Sequence, residues 1–195
     1  INQVNTTINA ALPDETFTGS VNYQRTFGKL KVSSRANFSQ SILNNVINNT
    51  PRVSKSFNQT YRGSLATNFR SAPNIELGYS YTVNDYNNAG RLSTFYTDRP
   101  FVKLDMLFLK SFIFTADYDY YHYRDAAETA DNEYAFLNAN LSYQKKDSKW
   151  EYNIQVTNAL NTEALNQDGF NDLFISSSAY MVQPRYVVFK LKYDL

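Results

Sequence analysis

Apolar and polar residues alternate along most of this chain, and a period of two predicts β-strands. In the run from Thr16 to Phe27, for example, Phe17 and Val21 fall on one side while Ser20 and Asn22 fall on the other. Further runs of this kind cover residues 30–39, 57–69, 75–83, 102–108, 112–120, 137–143, 150–157 and 187–195. The pattern therefore predicts an all-β protein with about nine or ten antiparallel strands.

The connections between these runs alternate in expected length. Short turns are expected at residues 27–29, 71–74, 107–111 and 145–149. Long polar loops are expected at residues 47–51, 85–92, 124–132 and 161–174. Short periplasmic turns and longer extracellular loops are typical of up-and-down barrels in the outer membrane. A soluble β-sandwich does not usually alternate its connections so regularly. We therefore expect a transmembrane β-barrel in the outer membrane of a Gram-negative bacterium, with its C-terminus in the periplasm.

Composition agrees with a membrane wall and excludes several other classes. The mean hydropathy of −0.50 is low, yet the 195 residues include 16 Tyr and 14 Phe. A wall with one lipid face and one polar lumen face reconciles these values. No apolar run approaches the ~18 residues of a transmembrane helix. A net charge of +1 without a basic patch gives no nucleic-acid footprint, and the absence of Cys excludes disulfides.

Strand direction raises a question about the first residues. If the short turns are periplasmic, the first clear strand runs downward, so an upward strand should precede it. Residues 1–15 are expected to be an extracellular loop or strand end, and residues 16–195 the barrel segment. Either residues 1–12 supply the upward strand and complete a ten-stranded barrel, or the chain is the C-terminal part of a larger one.

Two sets of side chains stand out on the predicted faces. Aromatic residues beside the short turns would anchor the membrane interface: Phe27, Phe69, Phe108, Phe112, Tyr143, Trp150 and Tyr193. Charged residues on the polar face would line the lumen: Arg35, Arg62, Glu76, Arg99, Lys103, Asp105, Asp117, Asp119, Glu151 and Lys190. Their mixed signs indicate ion pairs or contacts to an interior plug, because a charge-selective pore needs a ring of like charges.

No catalytic, cofactor-binding or metal-binding site is expected. Asp117 and Asp119 share a strand face, but His122 has the opposite parity, and oxygen-rich cation sites need several ligands. The chain has one His and no Cys, and no serine nucleophile is identifiable beside His122. An ordinary polar wall is the better interpretation of this segment.

The C-terminal third contains a series of short motifs in a specific order. They are residues 117–123 (DYDYYHY), 137–139 (LNA), 158–161 (NALN), 184–186 (PRY) and 191–193 (LKY). Together they resemble the C-terminal barrel of TonB-dependent-transporter-like outer-membrane proteins. That resemblance implies that this chain is the last nine or ten strands of a 22-stranded barrel with an N-terminal plug. Tyr193 and Leu195 resemble the terminal signal read by the barrel-assembly machinery.

The resemblance implies a receptor that imports an unidentified ligand, with energy coupled through a plug that this chain does not contain. Expected partners are outer-membrane lipid, the barrel-assembly machinery, the plug, TonB and a surface lipoprotein, with no nucleic acid. Two alternatives remain open: a non-transporting structural barrel of an outer-membrane complex, and a complete ten-stranded barrel with protease or lipase activity.

Overall fold

The computed structural model describes residues 12–47, 50–70, 73–88, 90–127, 129–170 and 175–194. All regular secondary structure in these ranges is β-strand. No helix in them is long and apolar enough to cross a membrane. The strands are β1 (Glu15–Phe27), β2 (Leu30–Ile47), β3 (Thr50–Thr67), β4 (Asn74–Asn88), β5 (Arg91–Phe108), β6 (Phe112–Asp125), β7 (Asp131–Gln144), β8 (Trp150–Thr157), β9 (Ala164–Phe170), β10 (Ile175–Met181) and β11 (Tyr186–Tyr193).

Nine of these strands form a single open antiparallel sheet. Its order is β1-β2-β3-β4-β5-β6-β7-β8-β11, so nearly every strand pairs with its neighbour in the chain. Strands β9 and β10 form a separate hairpin, inserted between β8 and β11. Because every pair is antiparallel, the two edge strands β1 and β11 run in the same direction. The prediction of an all-β antiparallel fold is confirmed at this level.

The predicted long loops are wrong in three places. Strands β2 and β3 pair up to Ile47 and Thr50, which leaves residues 48–49 as their connection. Strands β4 and β5 likewise pair up to Asn88 and Arg91. The loop expected at residues 161–174 contains β9, which pairs with β10 in the separate hairpin, while the nine predicted strands correspond to the nine strands of the main sheet. Polar side chains alone do not distinguish a loop from a paired strand that is polar on both faces. Such a strand forms its backbone hydrogen bonds whatever its side chains are.

The two faces of the sheet differ in an unusual way. One, here called the apolar face, carries Leu65, Leu77 and Phe189, whose relative exposures are 51%, 54% and 62%. The other is the polar face, and it carries five of the six buried described residues: Ser54, Ser80, Phe95, Phe101 and Tyr123. In a single sheet, a side chain is buried only where neighbours on the same face crowd it. The polar side is thus the crowded side, which is the reverse of a soluble sheet.

The turn between β6 and β7 is held by one carboxylate. Asp125 accepts hydrogen bonds from the backbone amides of Thr129 (2.7 Å) and Ala130 (2.9 Å). The bond from Ala130, together with the Thr129 hydroxyl, lowers the pKa of Asp125 because both stabilise the ionised form. The loop predicted at residues 124–132 is therefore shorter than expected, since β6 ends at Asp125, β7 begins at Asp131, and Asp125 binds Thr129 and Ala130 between them.

The β9–β10 hairpin is fastened at its neck by Asn158, the sixth buried residue, at 2% exposure. Its side chain donates to the carbonyls of Thr162 and Gln183 and accepts from the Thr162 amide, each at 2.9 Å. Asn158 and Asn161 both adopt left-handed backbone conformations, with φ of 51° and 57°. We call residues 158–162 the Asn158 clip, because they join the two ends of the hairpin insertion.

We expect Asn158→Ala to lower the free energy of unfolding by about 3 kcal/mol, because the buried Asn158 side chain loses three hydrogen bonds to backbone groups. Asn161→Ala is the matched control, since it places Ala in the same backbone region and, among the described residues, its side chain accepts only the exposed bond from the Arg185 amide. Urea titration of the protein in detergent micelles measures both. A loss at residue 158 no larger than that at residue 161 would contradict the role of the clip.

Candidate functional site

The polar face brings the predicted lumen residues together. Cross-strand register places all of them on this one face: Arg35, Arg62, Glu76, Arg99, Lys103, Asp105, Asp117, Asp119, Glu151 and Lys190. They share one face because charged and apolar residues alternate along each of these strands. Their role in ligand or plug contact stays a prediction.

Three arginines on this face lie in a single cross-strand row. Arg35 is the Cα partner of Arg62, Arg62 is the partner of Ser80, and Ser80 is the partner of Arg99. We call Arg35, Arg62 and Arg99 the arginine row. The prediction of mixed charges on this face did not include this row, because the three residues are 27 and 37 positions apart in the chain and only the register aligns them.

The three arginines are neutralised to different degrees. Arg99 forms a close ion pair with Asp119 at 2.9 Å and lies 5.0 Å from the Tyr121 ring centroid. Arg62 reaches Glu76 only at 3.9 Å. Within the described part of the chain, no carboxylate lies within ion-pairing distance of Arg35, whose Nε donates to Asn37 at 3.2 Å. Positive charge is therefore least compensated at the Arg35 end.

The remaining charged residues on this face contact neutral or oppositely charged groups. Asp117 accepts a bond of 2.8 Å from the Asn138 amide, and Lys103 is the cross-strand partner of both Glu76 and Asp117. Glu151 lies 3.9 Å from Lys192 at the β8–β11 pair. Most of the face away from the arginine row is thus electrostatically balanced.

A glycine in β4 makes the arrangement around Arg62 possible. The Phe101 ring lies directly over Gly78, and a Cβ added there would come within 2.0 Å of the ring. Phe101 is 2% exposed, and the Arg62 guanidinium covers its ring at 3.9 Å from the centroid. A glycine inside a strand often marks such a close approach. That was the only sequence signal for this contact.

Apart from Phe69, which lies beyond the end of β3, the predicted interface aromatics lie on the apolar face at the short-turn edge. Phe112 contacts Phe108 and Tyr143, with ring centroids 5.1 and 4.6 Å apart. Trp150 contacts Tyr193 at 4.7 Å. Phe27 lies 5.0 Å from the Arg25 guanidinium, and Phe69 follows the end of β3 and donates its amide to Asn74 at 2.6 Å. Leu195 lies outside the described residues, so the structure places only Tyr193 of the predicted assembly signal.

A charged network lies at the other end of the apolar face. Arg124 contacts Asp98 and donates to His122 Nδ1 at 3.2 Å, while His122 Nε2 lies 2.7 Å from Asp131. Arg124 can only donate, so Nδ1 accepts and Nε2 carries the proton that it gives to Asp131. Tyr79 also donates to Asp98. We call Asp98, His122, Arg124 and Asp131 the distal network; sequence reasoning named only His122 among them.

The metal hypothesis for this segment has no geometric support. Asp117 and Asp119 lie on the polar face, whereas His122 belongs to the distal network on the opposite face. In the ranges that the structure describes, no group of three or more His, Asp or Glu side chains could hold an ion.

No family model, no curated protein and no solved structure matches this chain. The resemblance to TonB-dependent-transporter-like barrels therefore rests on the sequence motifs alone.

We expect Gly78→Ala to destabilise the sheet by about 2 kcal/mol, because the new methyl group must displace the Phe101 ring. Gly63→Ala is the matched control, since nothing lies within 4 Å of a Cβ added there. Urea titration measures both variants. In the Phe101→Ala background, Gly78→Ala should cost much less; an equal cost in both backgrounds would show that the ring contact is not the cause.

Proposed function

We propose that this sheet forms part of the transmembrane wall of an outer-membrane β-barrel, with the apolar face towards lipid. The observation that carries the proposal is the inverted distribution of side chains across the sheet. Large apolar residues such as Leu77 and Phe189 are more than half exposed, while the crowded face is polar and charged. Water would penalise such an apolar surface, and lipid would not.

The height of the apolar surface fits a bilayer. On this face, residues 75–83, 100–108, 112–120 and 135–143 contribute only apolar or aromatic side chains. In each strand, the next residue on the same face is charged or ionisable: Asp85, Asp98, His122 and Glu133. Nine residues rise about 30 Å along a strand, or about 23 Å at a tilt of ~40°. This is close to the ~25 Å apolar band of outer-membrane barrels.

The strands also continue beyond this band. Strands β2, β3 and β5 each have 18 residues, about twice what the band requires. The wall would therefore project above the outer surface, as expected for a receptor with surface-exposed hairpins. Since β1 and β11 run in the same direction, antiparallel closure needs an odd number of additional strands, which agrees with an even-stranded barrel.

Within this architecture we assign the polar face to the passage of a ligand, as in an energy-coupled importer. Support comes from the partly uncompensated arginine row on that face and from the resemblance of the C-terminal motifs. The plug, TonB and a surface lipoprotein would be its partners. The protease or lipase alternative has less support, because Asp131 and Arg124 engage both ring nitrogens of His122, leaving neither for a serine.

Membrane orientation can be tested at two adjacent residues. Ala116 lies at the middle of the apolar band on β6, and Thr115 lies on the polar face. We expect Ala116→Arg to reduce stable insertion by about 2–4 kcal/mol, the cost of arginine at the bilayer midplane. Thr115→Arg should insert normally. Folding into lipid vesicles, followed by urea titration, measures both. Equal behaviour of the two variants would contradict a lipid-facing apolar side.

Transport can be tested by deleting the full-length gene. We expect the deletion strain to leave at least one solute of the growth medium undepleted, and complementation to restore its depletion. Dissipating the proton-motive force in the wild type should reproduce the defect if import is energy-coupled. Unchanged depletion of every solute, together with loss of an associated membrane complex, would instead identify a structural barrel.

A further inference from the structure

We infer that Arg35 and Arg62 form a binding site for an anionic group, a carboxylate or a phosphate, on a small ligand. The inference rests on the proposed function, because it identifies the chemistry of the ligand that the polar face would contact. It begins from the arginine row, in which these two residues are direct cross-strand partners.

The pair carries positive charge that its surroundings do not balance. Directly opposite residues have Cβ atoms about 5 Å apart, and like charges in that position destabilise a sheet. Among the described residues, Arg62 has only the distant Glu76 carboxylate at 3.9 Å, and Arg35 has no carboxylate within ion-pairing distance. Arg99 is excluded from the site because Asp119 pairs with it closely at 2.9 Å. An anion between Arg35 and Arg62 would relieve the repulsion.

The surface around the pair has the shape and polarity of a ligand site. An open depression of about 380 Å³ lies against the two arginines. Its other polar-face lining consists of Glu76 and the neutral side chains of Asn22, Gln24, Ser33 and Ser64. Hydroxyl and amide groups can donate further hydrogen bonds to a bound oxyanion. Of the described residues, Glu76 is the one carboxylate in this lining, so the depression favours anions over cations.

Arg62 is already held in position for such a contact. Its guanidinium lies 3.9 Å from the centroid of Phe101, and that ring is fixed against Gly78. A planar guanidinium that is stacked on an aromatic ring keeps its edge N–H groups free for bidentate contact with an oxyanion. Arg35 is exposed and can close on the ligand from the other side. One arginine is thus pre-oriented and the other is adaptable.

Anion binding to the full-length protein in detergent micelles tests the inference. Isothermal titration with inorganic phosphate and with citrate, against chloride at matched ionic strength, separates phosphate from carboxylate recognition. We expect at least one probe to bind more tightly than chloride. Arg35→Gln and Arg62→Gln should each weaken that binding at least tenfold. Lys31→Gln, which removes a cation from the same face of β2, should change it less than threefold.

Arg62→Lys keeps the charge but loses the planar fork, so it should retain only part of the affinity. Equal weakening by Lys31→Gln and Arg35→Gln would show diffuse electrostatic attraction and would overturn the site. Absence of anion binding in a wild type with native β-sheet circular dichroism would also overturn it, while leaving the membrane wall to the Ala116→Arg test. A lower melting temperature of the arginine variants without any change in anion affinity would mean that the pair braces another protein segment, which overturns it as well.

Discussion

The positions of all side chains in the main sheet depend on a constant antiparallel register within each pair of its nine strands. Two residues that are cross-strand partners lie on the same face of the sheet. Through successive pairs, the face of a residue in β2 is therefore linked to the faces of residues in β5 and β7. A slip of one residue in a strand would move the charged side chains on its polar face to the apolar face. Pairings such as Val21 with Ala36 and Asn22 with Arg35 therefore act together in keeping the faces distinct.

Much of the fold could be predicted because the period of two is a local signal. The faces of Leu77 and Arg62, and the aromatic positions beside the short turns, follow directly from alternation. Loop lengths could not be predicted, because the polar segments near Asn44 and Asp85 are paired strands with polar side chains on both faces. The Asn158 clip could not be predicted either. The NALN motif contains Asn158, but its hydrogen-bond partner Gln183 is 25 residues away in the chain.

The arginine row shows where single-sequence reasoning reaches its limit. Alternation places Arg35, Arg62 and Arg99 on one face but does not say which of them are neighbours along the hydrogen-bonding direction. That requires the registers of four strands, which depend on turn lengths that the sequence leaves uncertain. The row also explains why Gly78 and Phe101 matter together: both lie beside it, and the glycine leaves room for the ring that supports one guanidinium.

The connectivity of the sheet has a consequence for how the protein is assembled. Seven of its eight pairings join strands that follow each other directly, so each new strand can be added to a hairpin already formed. The exception is β8 with β11, which are separated by residues 158–185. Contacts between distant segments form more slowly because a longer loop must be closed first. The Asn158 clip shortens that loop because it joins residues 158–162 to Gln183 across the inserted hairpin, so we expect it to form before β11 pairs with β8.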